Sequence, residues 1–153
     1  MIKVNVEIDD KIWNTKIKNP KKYFNTRLKK VSKGDNFFIK KSLTFTILLT
    51  NSKNIKKINK KFRKKNNSTD VLSFPFYSKQ YLKKNKIKKN YIGDIAVSYE
   101  IINLRAKKNN FFLEFDKVWI HGLLHLIGHD HIKNSDYLTM LKSEKKIINL
   151  INY

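Results

Sequence analysis

All four histidines of this 153-residue chain fall within eleven residues, HGLLHLIGHDH at 121–131. No other stretch restricts the fold so tightly. From Phe111 onward the sequence is apolar around much of a helical circumference, so 111–127 is predicted to be a helix buried at the centre of the protein. His121 and His125 lie four apart and share a face of that helix, with Cβ atoms about 5–6 Å apart, close enough for two imidazoles to meet one ion. Gly128 stands where the helix must end. Glycine takes the left-handed conformation at little cost, and the turn it permits can bring His131 to the same ion.

A lone histidine is usually a satisfied core or surface ring, but four together with none elsewhere call for another explanation. His121, His125 and His131 are the candidate ligands of one metal ion. The chain has no cysteine, so any metal must be held by nitrogen and oxygen. Three histidines leave a fourth position open, which is the pattern of catalytic zinc and not of a closed structural site. The spacing H-x3-H-x5-H with its glycine matches the cage of the metzincin proteases at every position but the second. There the proteases carry a glutamate that takes the proton from water, and this chain has Gly122, so peptide hydrolysis by that route is disfavoured. A glycine in mid-helix costs about 1 kcal/mol against alanine, so either the sheet or a substrate should pass close to it. His129 would need a sharp distortion to join the cage and reads as a pocket wall. Asp130 either orients a ligand imidazole or stabilises the turn.

Lys and Arg number 34 against 12 Asp and Glu, a formal charge of +22 that would attract polyanions such as RNA. Lysine, asparagine and isoleucine crowd the chain, as AT-rich coding produces, so part of this charge is a solvated lysine surface. Only Arg27, Arg63 and Arg105 are arginines. Where lysine is the default cation, a guanidinium points to a need for its planar fork. The length fits one domain, 1–153. The N-terminus has no basic and apolar leader, and no apolar run approaches the roughly 18 residues that cross a bilayer, so a soluble, cytoplasmic protein is expected.

The remaining pattern alternates strands and helices. Residues 2–8 alternate Ile2, Val4, Val6 and Ile8 with polar residues as a first strand, and 42–50 does the same with Leu43, Phe45, Ile47 and Leu49. Between them lies a helical segment interrupted at Pro20, carrying Trp13, Ile17, Phe24, Leu28 and Val31 and stopping near Gly34. Asn51 or Ser52 caps a helix with an apolar stripe of Ile55, Ile58 and Phe62, which puts Asn59 and Arg63 on a neighbouring face. Residues 69–75 form a third strand whose Pro75 argues for an edge or a strand end. Residues 79–90 read as an exposed lysine-rich loop. Residues 91–98 return as a fourth strand antiparallel to the third. A short helix over 99–108, the buried helix capped by Asn109 or Asn110, and an amphipathic helix from Ser135 complete the chain. The expected fold class is α+β, a mixed sheet of about four strands packed with about five helices, the buried one carrying the metal ligands.

With HGLLHLIGHDH stand STDVLSFPF (68–76), IGDIAVS (92–98) and a helix ending NKKFR (59–63). Together they closely resemble the YbeY-type bacterial endoribonucleases, the ribosomal RNA maturation factors, in order over about 50–131 and more loosely to both ends. The resemblance implies a single-strand-specific, metal-dependent endoribonuclease that matures the 3′ end of small-subunit ribosomal RNA and serves ribosome quality control. It places the metal ligands on His121, His125 and His131 and the essential arginine on Arg63. It also implies single-stranded and ribosomal RNA and the small ribosomal subunit or its assembly factors as partners. At His129 the family more often has tyrosine.

The chemistry of the residues agrees. One Zn2+ ion per chain would lower the pKa of a water to about 7, and Arg63 could hold non-bridging phosphate oxygens as charge builds. Asp70 and Asp94 are either a base or residues that cap and tie loops, and the proton acceptor is unassigned. Two other classes stay open: a zincin-like metalloprotease, and a non-catalytic RNA-binding ribosome assembly factor with structural zinc.

Overall fold

The computed structural model describes residues 1–39, 41–84 and 90–152. Among these residues four strands, β1 (Ile2–Ile8), β2 (Leu43–Thr50), β3 (Val71–Pro75) and β4 (Tyr91–Ser98), form one sheet in the order β1-β2-β4-β3. β1, β2 and β4 run parallel in register Val4 to Phe45 and Phe45 to Gly93, and β3 closes the edge antiparallel to β4. The fold class is α+β with a mixed sheet, and Pro75 ends an edge strand, where its missing N–H leaves no ladder bond unmade.

Among the described residues seven α-helices surround the sheet: α1 (Pro20–Gly34), α2 (Asn36–Ile39), α3 (Ser52–Arg63), α4 (Lys79–Lys84), α5 (Tyr99–Arg105), α6 (Phe111–Leu126) and α7 (Asn134–Asn152). The count exceeds the expected five because two short helices, α2 and α4, carry too few residues to show a period. Part of the stretch expected as a lysine-rich loop is α4, and residues 85–89 of that stretch lie outside the described residues. Pro20 begins α1 at its first turn, where the missing N–H costs nothing, so it does not interrupt a helix. Trp13 belongs to a separate 3₁₀ turn, Lys11–Thr15. Asn51 caps α3 and Asn110 caps α6, each through its side-chain oxygen.

Alternation along the strands divides the core. Leu43, Phe45, Ile47 and Leu49 face the larger layer with α6, while Leu72 and Ala96 pack with Ile55 of α3 on the other face. Along α3 the expected stripe is corrected at one end. Phe62 is 61% exposed with its ring against Phe74, while Asn59 is buried and donates from Nδ2 to the carbonyl of Asn67 at 2.9 Å. The chain reverses after α3 through the left-handed Lys64, and the buried amide holds that reversal in place.

Helix α6 is apolar and enclosed, with Phe115, Trp119 and Leu123 fully buried and the Phe115 ring 5.0 Å from Trp13. Two buried carboxylates, Glu114 and Asp116, break this apolar surface, and Asp116 lies deeper. Asp116 is 1% exposed and accepts from Tyr23 Oη at 2.6 Å, Trp119 Nε1 at 2.8 Å and Arg27 Nε at 2.8 and 3.0 Å. The Arg27 guanidinium also lies over the Tyr23 ring at 3.5 Å. Burial and the Asp116 charge push the Tyr23 phenol far up, so it stays a donor. This network locks α6 against α1 about one turn before His121. Replacing Asp116 with alanine would leave its buried donors unpaired, and the expected loss of stability in denaturant unfolding is about 3–5 kcal/mol. A loss under about 1 kcal/mol would show that packing alone anchors the helix.

Candidate metal centre

The last two turns of α6 present His121 and His125 on one face. Ile127 ends the helix, Gly128 turns with φ +97°, and the His129 N–H donates back to the Leu124 carbonyl at 3.0 Å. The reversal brings His131 to the other two rings, so one nitrogen from each of the three histidines lies within 4.8 Å of the others. A tetrahedral zinc with Zn–N of about 2.0–2.1 Å spaces its ligand nitrogens about 3.3 Å apart. The observed spacing brackets that value, with two of the nitrogens 3.0 Å apart and all three within 4.8 Å.

Hydrogen bonding behind the rings identifies the nitrogens that face the cluster. His125 Nδ1 lies 3.0 Å from the His129 carbonyl, which can only accept, so Nδ1 carries the proton. His121 Nδ1 donates in the same way to Glu144 of α7 at 2.6 Å. Both Nε2 atoms then offer lone pairs, and they stand 3.0 Å apart. Two lone pairs at that distance repel unless a cation is shared between them. The donor set therefore fits a metal ion, with the outer nitrogens of His121 and His125 fixed as those of metal-ligating imidazoles usually are. Burial first, then the neighbouring His121, pushes the His125 pKa below the usual histidine range, and burial does the same at His129.

The cluster opens into a cleft of about 490 Å³ lined by Arg63, Asp70, Ser73 and the three histidines. Arg63, at the last position of α3, donates from Nη2 to the Ser73 carbonyl at 2.8 Å, which ties its fork to β3 beside the cage. Ser73 also donates from Oγ to the Gly122 carbonyl at 3.3 Å. At Gly122 a Cβ would meet Ile95 Cγ2 at 2.9 Å and Ser73 Oγ at 3.2 Å. It is the sheet, and not a substrate, that passes close there, and the position carrying the base in metzincins is here packed against β3 and β4.

The other candidate residues separate by their contacts. His129 is outside the three-histidine cluster, and its contribution to the cage is its backbone carbonyl. Asp130 accepts the His131 N–H at 2.7 Å and faces Lys79 at 3.4 Å. It stabilises the turn and does not orient a ring, and these partners hold its carboxyl below the usual range. Asp70 lines the cleft but is engaged by the Val71 N–H and by Arg105 at 2.5 Å. Asp94 accepts from Tyr91 Oη at 2.5 Å and is not among the residues lining the cleft. Both serve as ties. Sequence reasoning missed Glu144. Its signal was a carboxylate between Met140 and Ile147, on the stripe where α7 is otherwise apolar and buried.

Comparison with known proteins places this arrangement. A family model described as endoribonuclease YbeY matches residues 6–152. The chain is 50% identical to a Pelagibacter ubique protein named endoribonuclease YbeY, over 99% of this chain and 97% of that protein. It is 32% identical to a Fusobacterium nucleatum protein of the same name, over 99% of this chain and 89% of that protein. Among solved structures it resembles the solution structure of a Thermotoga maritima protein, with a TM-score of 0.57 and 27% identity over 99% of this chain and 89% of that one.

If Glu144 fixes the His121 tautomer, Glu144→Ala should lower zinc affinity by about 10–100-fold in a chelator competition while the melting temperature changes little. An unchanged affinity would reduce Glu144 to a packing residue.

Proposed function

The chain belongs to the YbeY endoribonuclease family, and on that premise we propose that it is a zinc-dependent endoribonuclease that cuts single-stranded RNA. Its place is in maturing the 3′ end of small-subunit ribosomal RNA and in ribosome quality control, in the cytoplasm, with the small subunit or its assembly factors as partners. The observation that carries this reading is the convergence of three imidazoles and one guanidinium on a single cleft.

His121, His125 and His131 hold one ion through nitrogen, a donor set suited to zinc. When bound, the ion supplies a Lewis acid and a nucleophile at neutral pH. The rest is done by the protein. The cage is fixed in orientation by Glu144 and the His129 carbonyl before substrate arrives. Arg63 is held by one nitrogen on the Ser73 carbonyl, and its remaining donors serve the non-bridging oxygens of a phosphodiester as negative charge develops. The +22 charge draws the polyanion in, a contribution that salt should weaken in proportion to the phosphates contacted. Among the described residues no helix is long and apolar enough to cross a membrane. Peptide hydrolysis is the poorer reading because the position of the protease base is a glycine packed on the sheet.

Incubating the purified protein with single-stranded RNA, with and without chelator, tests the activity. Cleavage should require metal and should vanish in His125→Ala, whereas binding without cleavage would favour an assembly factor. Arg63 admits a sharper test, because Arg63→Lys keeps the charge and loses the fork. The expected outcome is a fall of about 10²-fold in both kcat and kcat/KM with metal content and melting temperature retained. Cleavage by Arg63→Lys at the wild-type rate would remove the catalytic role.

A further inference from the structure

The sheet has a second edge, on the side away from β3 and the cleft. There β1 is the outermost strand, and a groove of about 780 Å³ runs between it and α1. The ladder to β2 uses the odd-numbered residues of β1. The Met1 carbonyl accepts from Leu43 N–H at 3.1 Å, and Asp9 N–H donates to the Leu49 carbonyl at 2.9 Å. Successive backbone groups of a strand point to opposite edges, so Ile2 and Val4 aim theirs into the groove. Ser32 Oγ takes the Ile2 N–H at 3.0 Å. The Ile2 carbonyl and both polar backbone groups of Val4 have no protein partner among the described residues. Four exposed lysines flank this open edge, Lys21, Lys29 and Lys33 on α1 and Lys3 on β1. Among the described residues none of the four makes an ion pair, and no acidic side chain lines the groove.

We propose that the open edge of β1 docks an extended, acidic segment of a partner protein, which adds a strand to the sheet and points carboxylates at the α1 lysines. Backbone pairing supplies the geometry. An added strand pairs with the free N–H and C=O of Val4, and its side chains on the α1 face recur every two residues, about 6.6 Å. One step of four residues along α1, from Lys29 to Lys33, rises about 6 Å, so alternate acidic residues can keep pace with the lysines. Charge selects the occupant. Lysines at a sheet edge repel most strands, and a second copy of this chain, itself carrying +22, brings like charge to the groove. RNA phosphates would be drawn to the lysines but would face the Ile2 and Val4 carbonyls, acceptor against acceptor, whereas a peptide backbone offers donors as well.

The test needs no RNA cleavage, so it stands apart from the proposed function. A fluorescent peptide alternating glutamate and valine is titrated with the full chain, and binding is read by anisotropy and by hydrogen exchange at the Val4 amide. The peptide should bind and slow exchange at Val4. Lys29→Glu with Lys33→Glu should weaken binding by about 10-fold. The same peptide N-methylated along its pairing edge should bind far less and leave Val4 exchange unchanged. If the double variant melts lower than the wild type, the methylated peptide on wild-type protein decides alone. Absence of peptide binding overturns the proposal. Equal binding of the methylated peptide overturns it too, because charge alone would then be responsible. A single-stranded RNA that slows Val4 exchange where the peptide does not assigns the groove to RNA and overturns the protein partner.

Discussion

The site depends on how closely α6 approaches the sheet. At Gly122 there is no room for a Cβ without displacing Ile95, and this contact sets the depth at which the helix lies across β4 and β3. Ser73 then links the two halves of the cleft: its hydroxyl donates to the Gly122 carbonyl and its own carbonyl accepts from Arg63. The imidazole cage and the guanidinium are therefore positioned from the same residue of an edge strand. Catalytic groups held by rigid elements keep their relative placement far better than groups carried on independent loops.

The three arginines show what the lysine-rich background conceals. Arg27 grips buried Asp116 through Nε, and Arg105 pairs with Asp70 at the cleft margin. Each makes directed contacts that a lysine ammonium, a compact charge without a fork, would match poorly. Arg63 instead donates to a backbone carbonyl, and it lines the cleft beside the histidines. Carboxylates are scarce as well, at 12 in the chain, and those near the site are committed to structure: Asp70 to Arg105, Asp130 to the His131 N–H, Glu144 to His121. The positive field over the cleft is thus little opposed by unpaired acids from the site itself.

Much of this was legible in the sequence because it was periodic or local. The alternation of β1 and β2, the cap and glycine that bound α6, and the histidine spacing are each fixed by neighbours within a few residues. Phe62 was misplaced because hydrophobicity alone assigned it inward, whereas the loop after α3 needed the buried amide of Asn59 more. The partner of Glu144 is hidden for another reason. Glu144 lies 23 residues from His121, and nothing in the spacing along the chain says which turn of α7 will rest on which turn of α6.

The two cluster histidines of α6 are oriented by unlike partners, and the difference sets how each position can vary. His125 is held by a main-chain carbonyl, which is present whatever side chain residue 129 carries, provided Gly128 keeps its left-handed turn. That leaves position 129 free to change its side chain without disturbing the cluster. His121 is held by a side-chain carboxylate on another helix, which demands a particular residue and the register of α7 against α6. Stability and site geometry are joined at that contact: a slip of α7 by one turn would withdraw Glu144, free the His121 ring to rotate, and turn its lone pair away from the other two imidazoles.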